Sequence, residues 1–150
     1  MAGQLGRLLG VGWLILVASG CTQTPTTPDT KPIDLDKVYG LAAEAYEEQN
    51  WSASEKHYKT LAQKAPEEAE PWFKLGNIYA RTLRIELAIQ CYREALVRDP
   101  RNVKAWHNMA VVQLRQAGKS FGEVELLVEP DNELHKKSVK IQESINALVN

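Results

Sequence analysis

The chain of 150 residues is predicted to be all-α, a short solenoid of two to three helix-turn-helix units closed by a C-terminal helix. Three observations predict it. Residue types repeat with a 34-residue period, prolines close two successive units one period apart, and a helix-capping pattern opens a helix where the period requires one. The period is clearest from 69 to 100, which carries Trp72, Leu75, Gly76, Tyr79, Ala88, Tyr92, Ala95 and Pro100. One period upstream, Leu41, Ala42, Tyr58 and Pro66 stand for Leu75, Gly76, Tyr92 and Pro100, with Val38, Ala45, Ser54 and Leu61 as weaker substitutes. One period downstream, Trp106, Met109 and Ala110 keep the pattern, but Gln113 replaces the tyrosine and Gly122 falls at the small-residue position, so the third unit is only half formed.

Each residue type has a physical reason. Two antiparallel helices pack closely only where small residues meet, which Gly76 with Ala88, and Ala42 with Ser54, provide; larger side chains one helical turn away fill the space around the contact. Pro66 and Pro100 stop the second helix of each unit, because a proline ring disfavours helix in the residue before it. Ser52-x-x-Glu55 has the spacing of a capping box and predicts a helix from about 52 to 64. The run Trp72-x-x-Leu75-Gly76-x-x-Tyr79, then Ala88-x-x-x-Tyr92 and Pro100, resembles the tetratricopeptide repeat (TPR). The units expected are 35–68, 69–102 and a partial 103–130, within a domain of 35–150.

The first twenty residues have Arg7 as their sole charge and a nearly continuous apolar run from Leu8 to Ala18. That run is too short to span a bilayer and has the length of a secretory signal core. It ends in Val17-Ala18-Ser19-Gly20-Cys21, which resembles the bacterial lipobox. The resemblance implies a signal peptide at 1–20, cleavage before Cys21, and acylation of Cys21, including palmitate on sulfur; the alternative is an ordinary cleaved signal with an incidental cysteine. Thr22 after that cysteine lacks the aspartate that signals inner-membrane retention in such lipoproteins, so the expected site is the outer membrane, facing the periplasm. Residues 21–34 are rich in threonine and proline and are expected to be a disordered tether, reaching up to roughly 40 Å.

Composition narrows the function. Of 18 Lys and Arg, one lies in the signal, leaving 17 against 19 acidic residues. With that balance and no basic stripe, nucleic acid is not an expected partner. If Cys21 is acylated, Cys91 has no cysteine to pair with, and it is read as a small buried hydrophobe. His57, His107 and His135 fall in three different places and form no metal motif. No phosphate-binding glycine loop or serine elbow is present, and Glu44, Glu47 and Glu48 read as a solvated helix face. No enzyme, metal or cofactor is expected.

Binding is better supported. The TPR resemblance places a concave groove along the first helices, implying partner contacts from Tyr39, Tyr46, Phe73, Asn77, Arg81, Lys104, His107, Asn108 and Arg115, with Ala43, Glu47, Ala80 and Val111 on the same face. Asn77 and Asn108 stand 31 residues apart, the separation that carboxylate-clamping relatives use to hold a peptide backbone. Phe73 stands where that clamp has a lysine, so the groove is expected to favour apolar or aromatic anchors, with an acidic or C-terminal segment an acceptable ligand.

After the helix that begins near Val103, residues 116–130 contain two glycines and an apolar cluster, and an irregular insertion is expected there. From 131 to 149 helix signals resume, with Leu134, Ile141, Ile145 and Leu148 on one face; this is the expected cap of the stack. A rival reading makes that helix an interaction surface. The whole predicts a membrane-anchored interaction scaffold or assembly factor for a protein or peptide partner, resembling small TPR lipoproteins that assemble pili and secretins. The alternative is a self-associating lipoprotein whose role is oligomerisation.

Overall fold

The computed structural model describes residues 33–149, and within them the chain forms six helices. They are α1 (Leu35–Glu47), α2 (Trp51–Lys64), α3 (Ala69–Arg81), α4 (Ile85–Arg98), α5 (Val103–Leu127) and α6 (Glu133–Val149). Consecutive helices pack as antiparallel pairs in a row. The expected signal, most of the expected tether and Cys21 lie outside the described residues.

The helix starts repeat the period. Asp34, Glu68 and Asn102, one period apart, are the N-caps of α1, α3 and α5. Asp34 accepts from the Lys37 amide at 3.1 Å and Asn102 from the Ala105 amide at 2.9 Å, each satisfying a donor that the first helical turn leaves free. Glu68 makes no such bond; its carboxylate accepts the Tyr39 hydroxyl instead. The Ser52–Glu55 capping box does not form. Asn50 caps α2 by accepting from the Ala53 amide at 3.2 Å, which puts Ser52 already inside the helix. Glu55 is left free to turn towards α3 and α4.

The turns inside the first two pairs repeat as well. Gln49 and Leu83 have φ of 58° and 59°, and the next amides close back onto the helix, Asn50 to the Ala45 carbonyl and Arg84 to the Tyr79 carbonyl, each at 2.8 Å. This is the left-handed C-terminal turn that glycine ordinarily supplies. The second helices end as the prolines require, α2 at Lys64 before Pro66 and α4 at Arg98 before Pro100.

Small residues set the pair contacts. Ser54 is fully buried and its hydroxyl donates to the Ala42 carbonyl at 3.1 Å, so α1 and α2 meet backbone to side chain. In the second pair the missing Cβ of Gly76 is filled by the Tyr92 ring; a methyl group there would lie 2.5 Å from Tyr92 Cε1. Tyr58, Leu61, Leu75, Ile78, Ala88 and Tyr92 form the centre of a core that continues to Met109 and Val112.

The third unit departs from expectation. Residues 116–127 are helical, not irregular: α5 runs 25 residues, passes through Gly118 and Gly122, and stops before Pro130. The glycines cost helix propensity, roughly 1 kcal/mol each, but they face α6, and close packing offsets that cost. Gly118 is buried with Ile145 Cγ2 at 3.5 Å from its Cβ position, and Gln142 Nε2 donates to the Gly118 carbonyl at 3.2 Å. The face of α6 that is buried is therefore centred on Ser138 and Ile145, while Leu134, Ile141 and Leu148 are 58%, 38% and 73% exposed. The expected apolar stripe is mostly an outer edge. Moreover, α6 packs beyond the middle of α5 and leaves Trp106, Ala110 and Gln113 exposed, although their counterparts Trp72, Gly76 and Tyr79 are wholly or partly covered.

Candidate functional site: a basic groove along α3 and α5

A groove of about 520 Å³ runs across α1, α3, α4, α5 and the end of α6. Asn77, Ala80 and Arg81 share one face of α3 at helical spacing, and Asn108, Val111 and Arg115 share one face of α5. Tyr46 and His107 complete the wall, Tyr92 lies beneath, and Leu148 with Val149 close one end. Six of the nine expected groove residues line it: Tyr46, Asn77, Arg81, His107, Asn108 and Arg115. Tyr39, Phe73 and Lys104 do not. Tyr39 is tied to Glu68, and burial together with that carboxylate pushes its hydroxyl well above the usual phenol range. Phe73 turns inward, its ring 6.1 Å from that of Tyr92. Lys104 is exposed on the first turn of α5, outside the groove.

The two asparagines meet each other. Asn108 Nδ2 donates to Asn77 Oδ1 at 2.8 Å, and the buried Tyr92 hydroxyl donates to the same oxygen at 2.9 Å. That oxygen has two lone pairs, so both are used, and the Asn77 amide orientation follows from the network. Asn77, expected as a partner contact, is thus part of the fold as well as of the groove. Burial raises the Tyr92 hydroxyl well above the usual phenol range. Aromatic and cationic side chains support the wall: Lys74 lies 4.6 Å from the Tyr46 ring centre, Arg81 lies 5.4 Å from that of Trp51, and Tyr46 meets Trp51 edge-on. Tyr92 and the last turn of α6 were not legible as groove residues, because nothing local in sequence links them to α3.

A second polar cluster ties the two pairs together. Glu55 accepts from Arg84 at 2.6 Å and from Tyr79 at 3.2 Å and pairs with Lys59 at 2.6 Å; Arg84 lies 4.4 Å from the Tyr79 ring centre. The Arg84 guanidinium, helped by Lys59, holds the Glu55 carboxyl down at about 2. The arrangement is a structural joint, since the carboxylate is fully engaged by cations. Cys91 is buried, and its thiol is pushed up to about 12 by that burial, which makes it unreactive. Among the described residues no group of three or more His, Cys, Asp or Glu converges as metal ligands, and no helix is long and apolar enough to cross a membrane.

Comparison with known proteins bears on the repeats and the fold. Tetratricopeptide-repeat family models match residues 69–102 and 91–124. The chain is 37% identical over 57 residues to tetratricopeptide repeat protein 8 of Mus musculus and 35% identical over 57 residues to that of Homo sapiens. The matched segment is 38% of this chain and spans only 11% and 10% of those two proteins. The Arabidopsis OM64 TPR domain superposes with a TM-score of 0.51 at 18% identity, covering 75% of this chain and 94% of that one. The chain therefore carries tetratricopeptide repeats, and its fold is a short all-α TPR solenoid.

Proposed function

We propose that this protein is a membrane-anchored interaction scaffold, held by acyl chains on Cys21 and facing the periplasm, that takes a partner peptide or protein segment in the groove along α3 and α5. Repeats of this kind are generally non-enzymatic scaffolds that bind protein partners. The observation that carries the reading is the groove itself, which gathers Asn77, Arg81, Asn108 and Arg115 around one open channel. An assembly role in pilus or secretion machinery is the setting in which a tethered binding module of this size would be useful.

A photo-crosslinking amino acid placed at His107, inside the groove, is expected to capture a partner in intact cells, whereas the same group at Val97, 75% exposed and outside the groove, is expected not to. Equal capture at both positions would remove the groove from the reading. The anchor is tested separately: Cys21→Ser is expected to leave the membrane fraction and lose the acyl mass. Self-association is the second reading, favoured by Leu126 and Leu127, each 81% exposed at the end of α5. A concentration-dependent dimer lost on Leu126→Asp would support it.

A further inference from the structure

The third pair extends beyond the repeat. Helices α1 and α3 run 13 residues each and α5 runs 25, so the part of α5 from Gln116 onward has no counterpart in the first two pairs. Among the described residues α6 packs against α5 and against no other helix. The end of this hairpin, residues 123–134, receives no hydrogen bond or ion pair from α1 to α4 among the described residues.

That free end is apolar at its surface. Leu126 and Leu127, the last two residues of α5, are each 81% exposed, and Leu134, on the first turn of α6, is 58% exposed. The turn between them is held in one shape. The Asn132 amide donates to the Glu129 carbonyl at 3.0 Å, and the Leu134 amide donates to Asn132 Oδ1 at 2.8 Å. Leucines gathered at one fixed end, instead of scattered singly, are what an interaction surface requires, because little ordering remains to be done on binding.

Charge decides what covers them. From Phe121 to His135 the chain carries Glu123, Glu125, Glu129, Asp131 and Glu133 and no lysine or arginine. Glu133 pairs with Lys136 at 3.0 Å, and the other four have no ion pair among the described residues. The hairpin end stays net negative with Lys136 and Lys137 counted. In the first two pairs Glu55 and Glu94 are matched by arginine, Arg84 and Arg98. Glu123 lies one helical turn before Leu126 and Leu127 and shares their surface. A second copy of this hairpin end would set carboxylate against carboxylate, and an anionic lipid surface would repel it. A segment that carries lysine or arginine beside aliphatic side chains meets both the leucines and the acids.

We propose that the end of the α5–α6 hairpin is a docking surface, separate from the groove, for a basic amphipathic segment of a protein partner, whose aliphatic side chains cover Leu126, Leu127 and Leu134 while its cations face Glu123, Glu129 and Asp131. The surface lies about 20 Å along α6 from Leu148, which closes one end of the groove, so the two can be occupied together.

The test uses the full chain in nanodiscs of neutral lipid, with empty discs as the blank, and three fluorescent helical peptides followed by anisotropy. One peptide has leucines on one face and lysines on the other; the second has glutamate in place of lysine, and the third has alanine in place of leucine. The leucine–lysine peptide is expected to bind about tenfold more tightly than either of the others and to weaken as salt rises. Leu126→Gln with Leu127→Gln is expected to weaken it by about tenfold, and Arg81→Gln, in the groove, to leave it unchanged. Glu123→Lys with Asp131→Lys is expected to reverse the preference towards the glutamate peptide, a gain that misfolding cannot produce. Equal affinity for the lysine and glutamate peptides, or an affinity unchanged in the leucine variant, would overturn the proposal. A dimer of the full chain that is lost in the leucine variant and that excludes the peptide would assign the surface to a second copy instead. Flotation of the Cys21→Ser chain with anionic vesicles, lost in the leucine variant, would assign it to a membrane. Each of these failures leaves the groove reading standing, since that reading rests on capture at His107.

Discussion

The second helix pair, α3 with α4, and the third, α5 with α6, are each built around glycine, and they use it in opposite ways. Gly76 in α3 is filled by the ring of Tyr92, so its lack of a side chain is required. Gly118 in α5 faces Ile145 across an ordinary contact distance of 3.5 Å, so a methyl group would fit. Gly76 sits at a crossing that the repeat's register places between two 13- to 14-residue helices. Gly118 sits where a 25-residue helix has outrun the register and α6 has come in on the groove side. A glycine that the period explains is indispensable; one that it does not explain is a tolerated gap.

That difference is open to direct test. Gly76→Ala should have the largest effect, because the new Cβ would lie 2.5 and 2.6 Å from Tyr92 Cε1 and Cδ1. Overpacking outweighs the gain in helix propensity, and a net loss of roughly 2 kcal/mol is expected, lowering the melting temperature by roughly 10 °C. A melting temperature equal to wild type would mean the ring has room to move and the contrast fails.

Asn77→Ala comes next. It leaves the buried Tyr92 hydroxyl without its acceptor, so a loss of about 1 to 3 kcal/mol is expected in chemical denaturation. Tyr92→Phe combined with Asn77→Ala should restore part of it, since an orphaned hydroxyl costs more than an absent one. If the double variant is no better than Asn77→Ala, the bond is not what makes Asn77 structural.

The joint between the first two pairs gives a pH signature that the third unit lacks. The Glu55 carboxyl is held at about 2, below its ordinary value of 4.5. Its contribution is therefore fully present above about pH 4.5 and is lost as pH falls towards 2. Glu55→Gln should destabilise by on the order of 1 kcal/mol at neutral pH and should converge with wild type as the pH falls through that window. In the third unit the ion pair Glu133–Lys136 is exposed and local, and Glu133→Gln should be nearly silent at every pH. Parallel melting curves across pH for both variants check the contrast.

Gly118→Ala should have the smallest effect and the opposite sign. With Ile145 at van der Waals distance, the methyl group fills space and stiffens the unfolded chain, and a gain of about 0.5 to 1 kcal/mol is expected. A loss instead would show that α6 packs on α5 as tightly as α4 packs on α3.

Much of the fold was legible because it is periodic. The 34-residue repeat located four helices, and Pro66 and Pro100 located two helix ends within a residue or so. The capping box failed because Asn50, two residues earlier, competes for the same amides and wins, leaving Glu55 to Arg84. Residues 116–127 were misread because local propensity counts glycine against helix, whereas Gly118 and Gly122 admit α6. The face of α6 was misread for the same reason: a small residue, Ser138, packs where helices approach closely, and Leu134 and Leu148 are left outside. Six of the residues that the TPR resemblance implied line the groove, while Phe73 was lost to the Tyr92 ring and Tyr39 to Glu68.

What the sequence determined alone is the repeat: the helix order of the first two pairs and the prolines that end their second helices, which depend on neighbours within about one period and on steric rules of the backbone. The tertiary structure decided how the chain departs from that repeat. Whether a glycine breaks a helix or seats one, which face of α6 is buried, and whether Asn77 serves the core or the groove each depend on a residue from a distant segment: Ile145, Gly118 and Tyr92. Local patterning cannot specify such contacts, because their free energy belongs to pairs that only the packed chain brings together.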